Sequence, residues 1–567
     1  MNPFGIDFGT TNSVLAQWNG TEAEVLTIDE PPTEWAALGF DRVLPSVIGI
    51  GHGKQVSFGW AAKHGSAPTL GAVKRLFATE NTVDIGGHQV SVEEAAALLF
   101  AHIRTASPGV SVDRSVVTIP ANSRGLARFR TKLCAGLAGI EVRALVNEPT
   151  AAAMAYSVDA TQDQNVLVFD WGGGTLDVTV LETIEGVFIE RASKGIARSG
   201  GIDLDEAFAD AILACLPARQ SWSDVEQAQF RLEVERAKIL LSTQDETNLR
   251  LPDGRFFPVA RELFLKAIND KLEEVRQPIE QCLADLSIGP NGIDQLVMVG
   301  GSSKIPAVRQ LVSDMLRREP ATGCDPMTAV AQGAAIASAI LSGQLDKDFF
   351  VATEHALGTI VVDEVRRQSF SELIPRNHQL PAKATDSYLP AQAGQSEVRV
   401  EVIEGDPTKP VDHEDNVVLK EWVVPVDPSR SQQDAAFTIT YEYNVEGILY
   451  ITVVDQLTGR QMLHDDVSFG VTKDRTQLVE VARRVRTTMQ TRTVDGSPAR
   501  SVTVSVADPE AAALVTRART KVVPFVDDTE AARLESICAD LENASGAALA
   551  ECRDALDATL RQYSYLF

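Results

Sequence analysis

VFDWGGGTLDVTV, residues 168–180, places three glycines between two acids, Asp170 and Asp177, with β-branched runs on both sides. A glycine loop of the dinucleotide-binding or Walker type leads into a helix. Here the chain continues LDVTVLE, which alternates and is β-branched, so the glycines are predicted at the tip of a hairpin. Such a tip offers successive backbone N–H groups, and glycine lets an anion approach them closely. GIDFGTTNSVLAQW (5–18) repeats the pattern: Asp7-Phe8-Gly9 matches Asp170-Trp171-Gly172, each after an apolar strand and each leading to threonine. A duplicated α/β half explains the repeat. Two facing tips would clasp a polyphosphate from both sides, with Asp7 and Asp170 directed at a hard cation such as Mg²⁺.

The bulk properties are consistent with a large folded protein. At 567 residues the chain needs about two to four domains, and 44% apolar content excludes a mainly disordered one. A net charge of −26 argues against non-specific binding to nucleic acid or anionic membranes. The six cysteines form no CxxC, so buried free thiols are expected rather than a zinc site or disulfide framework. The opening MNPFGIDFGTTNSV lacks a basic and apolar leader, and no 18-residue apolar run occurs. A soluble, cytoplasmic monomer is the expectation.

Residues 1–341 alternate β-branched runs such as SVVTIP (115–120) and QLVMVG (295–300) with helical stretches such as EEAAALLFAHIRT (93–105), which predicts an α/β domain. Residues 342–352 read as a linker. Residues 353–470 carry short alternating strands, including EVRVEVIEG (397–405) and AFTITYEY (436–443), and predict an antiparallel β-sandwich. Residues 471–567 are predicted mainly helical. Leu534, Cys538 and Leu541, then Leu549, Cys552, Leu556 and Leu560, form one apolar stripe per helix. RSVTVSVADPE (500–510) fits neither pattern.

In order along the chain, these motifs resemble the actin-like (duplicated ribonuclease H-like) ATPase fold, and within it the seventy-kilodalton heat-shock chaperone family, over nearly all of residues 4–470. GIDFGTTNS and DWGGGTLDV resemble its two phosphate loops, and VMVGGSSKIPAVRQL (297–311) its adenosine motif. ELIPRNHQLPAK (372–383) and EGILYITVVDQLTGRQ (446–461) resemble its peptide-binding sandwich.

The resemblance implies an ATP-dependent chaperone that binds and releases extended apolar segments of unfolded polypeptides, with ATP/ADP and Mg²⁺ as cofactors. A J-domain co-chaperone and a nucleotide exchange factor would be its partners. It implies phosphate contacts from Gly9, Thr10, Thr11 and Asn12 and from Gly172, Gly173, Gly174 and Thr175. Mg²⁺ would be held through water by Asp7 and Asp170. Lys74 would lie near the γ-phosphate, and Glu148 and Asp177, with Thr175, would position the attacking water. Nucleoside contacts would come from Gly201, Glu235, Lys238, Ser242, Gly300, Gly301, Ser302, Lys304 and Asp325. Val362, Tyr388, Ala391, Val398 and Val400 match the peptide pocket, and Pro120 and Arg128 match residues that relay nucleotide state.

Three departures stand out. Lys304 occupies a position where many members carry an arginine stacked on adenine, and lysine lacks that plane. The linker, DKDFFVAT (346–353), offers Phe349 and Phe350 in place of an aliphatic run closed by aspartate. Ala144 stands where many members have an arginine used by J-domain proteins. The altered linker and the short helical tail support an alternative, a nucleotide-switched scaffold or regulator for one dedicated protein partner.

Overall fold

The computed structural model describes the chain apart from residues 1, 52–54, 78, 107–111, 122, 124, 158–160, 185–186, 217–221, 347–352, 354, 363–366, 414, 445–447, 468–474, 491–508, 543, 545–546 and 567. Phe349, Phe350 and most of the segment 500–510 therefore lie outside the described residues.

The first lobe is built on β1 (Phe4–Phe8) and β2 (Asn12–Trp18), an antiparallel hairpin whose tip is Gly9–Thr11. Its sheet runs outward through β3 (Ala23–Leu26) on one side, and through β4 (Arg114–Ile119) and β5 (Glu141–Asn147) on the other. The β4 strand is parallel to β1, so both faces of that pair must be covered, and FGIDF and RSVVTI are buried almost throughout. Helices α1 (Val92–Ala106) and α2 (Gly125–Leu137) pack together on this lobe.

The second lobe repeats the plan. β6 (Gln164–Trp171) and β7 (Thr175–Ile184) form an antiparallel hairpin, β8 (Val187–Ala197) continues it, and β9 (Gln295–Val299) lies parallel to β6. Asp7 and Asp170 thus sit at equivalent places, each on a strand between its hairpin mate and a parallel neighbour. The expected duplication is observed. Its helices include α3 (Glu148–Ala155), α4 (Gly201–Cys215) and α5 (Asp224–Leu240).

Helix α6 (Ala329–Leu341), AVAQGAAIASAIL, is clamped against β1, β2 and α3. Its small residues make that approach possible. A Cβ on Gly333 would come within 1.7 Å of the Ala151 carbonyl oxygen, and one on Gly5 within 2.2 Å of the Ala335 nitrogen.

Beyond it, two four-stranded antiparallel sheets face each other as predicted. One contains Ala356–Val362, Gln368–Ile374, Glu397–Gly405 and Val417–Pro425; the other contains Ala382–Tyr388, Phe437–Tyr443, Leu449–Asp455 and Gln461–Asp466. Tyr441, fully buried between them, donates its hydroxyl to the Gly358 carbonyl at 2.8 Å. The sandwich is seated on the α/β lobes. Arg128 of α2 donates to Glu404 at 2.5 Å with both side chains almost fully buried, and Arg376 and Asn377 both reach Glu190 of β8.

The tail forms α7 (Arg475–Gln490), α8 (Pro509–Arg517), α9 (Asp528–Glu542) and α10 (Ala547–Arg561). Its predicted stripes are buried except for Leu549, which is half-buried, and α7 packs on α1 and α2. These helices share one apolar core with the first lobe. Arg484 donates twice to Glu94, and Arg114 donates to Asp557 at 2.6 Å. Tyr565 and Leu566 are buried, with Tyr565 seated against Gly136.

Candidate active site

The two hairpin tips meet. A Cβ on Gly173 would lie 2.2 Å from the Thr11 hydroxyl oxygen, and one on Gly174 would lie 2.6 Å from that of Thr10. Only bare backbone lets the second tip come this close to the threonines of the first. Gly300 supports the tip from behind: its φ is +83°, and a Cβ there would strike the Trp171 carbonyl at 2.4 Å.

Beneath the tips is a cavity of about 90 Å³ that brings together Asp7, Lys74, Glu148, Asp170, the two glycine tips and Pro120. The Lys74 ammonium donates to Glu148 at 2.8 Å. Thr118 donates to Asp7 at 3.2 Å, and the Thr175 hydroxyl donates to Asp177 at 2.8 Å. Lys74 rides on the short turn Val73–Leu76, preceded by Ala72 in the left-handed conformation at φ +55°. This strain for a residue with a Cβ is concentrated next to the cavity's one lysine.

The carboxylates here are under electrostatic pressure. Burial, with repulsion from Glu148, raises Asp7 to about 7 despite the pull of Lys74. Burial also pushes Asp170 well up, aided by Glu148, Asp177 and Asp7. Burial alone would pull Lys74 down, but Glu148, Asp7 and Asp170 together hold it above its usual range. The donor set around Asp7 and Asp170 is all oxygen, with negative charge left over, which suits a hard cation such as Mg²⁺. Among the described residues there is no cluster of three or more metal-ligating side chains. Mg²⁺ usually keeps several of its waters and is held through one or two carboxylates.

A second cavity of about 520 Å³ shares Thr11, Asn12, Gly173 and Gly301 with the first, so the two form one cleft. Gly201, Glu235, Lys238, Ser242, Ser302 and Lys304 all line it. Lys238 donates to Asp205 at 2.8 Å and to the Gly201 carbonyl at 3.2 Å. Burial raises Asp205 to about 6, against the pull of Lys238. Asp325 is set back, holding the Lys304 ammonium at 2.7 Å.

Several residues here escaped the sequence reading. Arg75 donates to the Gly174 carbonyl and to Asp203, both at 2.6 Å, and so ties the Lys74 turn to the second tip and to the start of α4. Its one signal was adjacency to Lys74. Lys63 pairs with Glu235 at 2.8 Å across 172 positions, and no local pattern announces that.

The remaining assignments are spread out. Val398 and Val400 lie on one face of their strand and are buried in the sandwich core; Tyr388 is half-buried, while Val362 and Ala391 are exposed. Pro120 lines the phosphate cavity, and Arg128, eight residues on, reaches the sandwich. Ala144 is fully buried in β5.

The family model described as Hsp70 protein matches residues 78–565. The chain is 32% identical over 484 residues to "Chaperone protein DnaK" of Thermosipho melanesiensis, covering 81% of this chain and 78% of that protein. It is 31% identical over 524 residues to "Chaperone protein DnaK" of Thermotoga maritima, covering 85% and 84%. The protein of the same name from Deinococcus proteolyticus is 31% identical over 501 residues, covering 81% and 77%.

Proposed function

We propose that this chain, which belongs to the Hsp70 family, uses the cleft between its hairpin tips to hydrolyse ATP and its β-sandwich to hold extended apolar segments of client proteins. ATP-dependent chaperone activity, and the ATPase within it, come with the family; the proposal is how these residues carry it. The observation that carries it is the contact of the two tips directly above Lys74, Glu148, Asp7 and Asp170.

The amides of Gly9–Asn12 and Gly172–Thr175 hold the β- and γ-phosphates from opposite sides. Phosphoryl transfer to water passes through a loose transition state, so positioning and charge neutralisation do most of the work. Lys74 supplies a compact positive charge where negative charge builds up. Thr175 fixes the Asp177 carboxylate by its hydroxyl, and Asp177 and Glu148 orient the water. Mg²⁺, held through water by Asp7 and Asp170, would neutralise phosphate charge when bound.

The proposed units are residues 1–341 for hydrolysis, 342–352 as linker, 353–470 for clients and 471–567 as the helical tail. Val398 and Val400, with Val362, Tyr388 and Ala391, mark the client side of the sandwich. Pro120 and Arg128 connect the phosphate cavity to it, supported by the Arg128–Glu404 pair. Coupling of this kind is reciprocal. A J-domain partner and an exchange factor belong to this reading, and cysteines that form no CxxC motif suit a reducing, cytoplasmic setting.

ATPase rate and peptide affinity measured together test the proposal. Binding of many unfolded peptides, weakened by ATP and stimulating turnover, is the expected result. ATP turnover with no peptide binding would favour the scaffold for a single partner.

A further inference from the structure

The segment EPPTEWAALGFDRV (30–43) belongs to no phosphate or nucleoside motif, yet it reaches the cleft. After a short helix, Thr33–Ala36, it places Leu38 and Phe40 in the lining of the larger cavity, beside Glu235, Lys238 and Ser242. Trp35, Phe40 and Trp60 hold the segment as an aromatic box. Phe40 meets Trp35 edge-on at 5.4 Å and 84°, and Trp60 at 6.3 Å and 82°. The Trp60 indole donates to the Val43 carbonyl at 3.2 Å, and the Lys63 ammonium sits 4.7 Å above the Trp35 ring. Leu38 is half-buried and packs in the same apolar cluster as Leu232 and Ile239 of α5, so the cluster spans the mouth of the cleft.

Lys304 is poorly suited to the flat face of a base. Its ammonium is engaged by Asp325, and it has no planar group to stack. Leu38 and Phe40 supply apolar surface in the same cavity, on a rigid support.

We infer that Leu38 and Phe40 form the apolar wall against which the nucleotide base packs, and that this wall, more than residue 304, sets affinity for the base. The inference rests on the nucleotide reading of the cleft. The phosphates are held elsewhere, by the hairpin tips, so a base-wall defect must spare ligands that lack a base.

The test is calorimetric titration of the full chain with ADP and, separately, with inorganic pyrophosphate. Leu38→Ala is expected to weaken ADP about tenfold while leaving pyrophosphate affinity unchanged, in line with loss of a buried apolar contact. Phe40→Leu, which keeps the box filled, is expected to weaken ADP in the same selective way. Lys304→Ala is expected to weaken ADP less than Leu38→Ala does. ADP, but not pyrophosphate, is expected to shift the fluorescence of Trp35 and Trp60, as shown by its loss in Trp35→Phe and Trp60→Phe. Wild-type ADP affinity in both wall variants, or equal losses for ADP and pyrophosphate, would overturn the assignment. A wild-type protein that binds pyrophosphate but not ADP would also overturn it. If the wild type binds neither ligand, the nucleotide reading itself fails and takes the wall with it.

Discussion

Asp7 is a residue at which function and stability pull against each other. Its carboxyl is raised from 3.8 to about 7 by burial and by Glu148, so the folded protein keeps a proton there that the unfolded chain has already lost. Stability of the protein free of metal and nucleotide must therefore fall as pH rises from about 4 to 7. Asparagine cannot ionise. Asp7→Asn is expected to flatten this part of the Tm–pH curve and to raise Tm above pH 7, while lowering ATP turnover severely; a curve parallel to wild type would refute the assignment. Lys74 pairs with Glu148 in the fold, and its charge also faces the proposed phosphate site. Lys74→Ala is expected to cut kcat about 10²–10³-fold with ATP affinity largely kept, and single-turnover assays check it. Thr175→Ala should likewise reduce hydrolysis more than binding, because Asp177 loses the hydroxyl that orients it.

At the scale of elements, the hairpin tips were legible because they are local. Alternation, glycine and a matching acid all lie within a dozen residues, and the same pattern appears twice. The sandwich strands and the stripes of the tail helices were legible for the same reason. What joins the elements was not. Arg75 to Asp203, Lys63 to Glu235 and Arg128 to Glu404 connect positions 128, 172 and 276 apart, and nothing near either partner signals the other. Segment 30–43 was missed because its aromatic residues follow neither a helical nor a strand period. The Arg128–Glu404 pair yields a sharp expectation. Removing one partner of a buried ion pair costs about 3–5 kcal/mol. Glu404→Ala should thus release the sandwich from the lobes, seen as an increased radius of gyration and faster amide exchange in both contact surfaces. An unchanged radius would show that the pair does not hold them together. Helix α6 is equally demanding: Gly333→Ala forces a methyl against the Ala151 carbonyl, and a loss of about 1–3 kcal/mol by denaturant titration is expected.

In the whole molecule, the α/β lobes share one apolar cluster with the tail helices and another with the sandwich. The tail helices bury Leu534, Cys538, Leu556, Leu560, Tyr565 and Leu566 in the same apolar cluster as β1 and α1. A chain cut after residue 470 would expose that face, and it is expected to melt at lower temperature and to aggregate; equal Tm would mean that the tail contributes nothing to the lobe. Nucleotide binding in this fold depends on two tips closing on one ligand. Gly173→Ala tests it most directly, because the added methyl must displace Thr11 and part the tips without touching any charged group. ATP titrated calorimetrically into the wild type and this variant, in the presence of Mg²⁺, should show binding to the wild type and a loss of at least about 100-fold in the variant, equivalent to about 2.8 kcal/mol. Equal affinity in the two proteins would contradict the shared grip on which the mechanism stands.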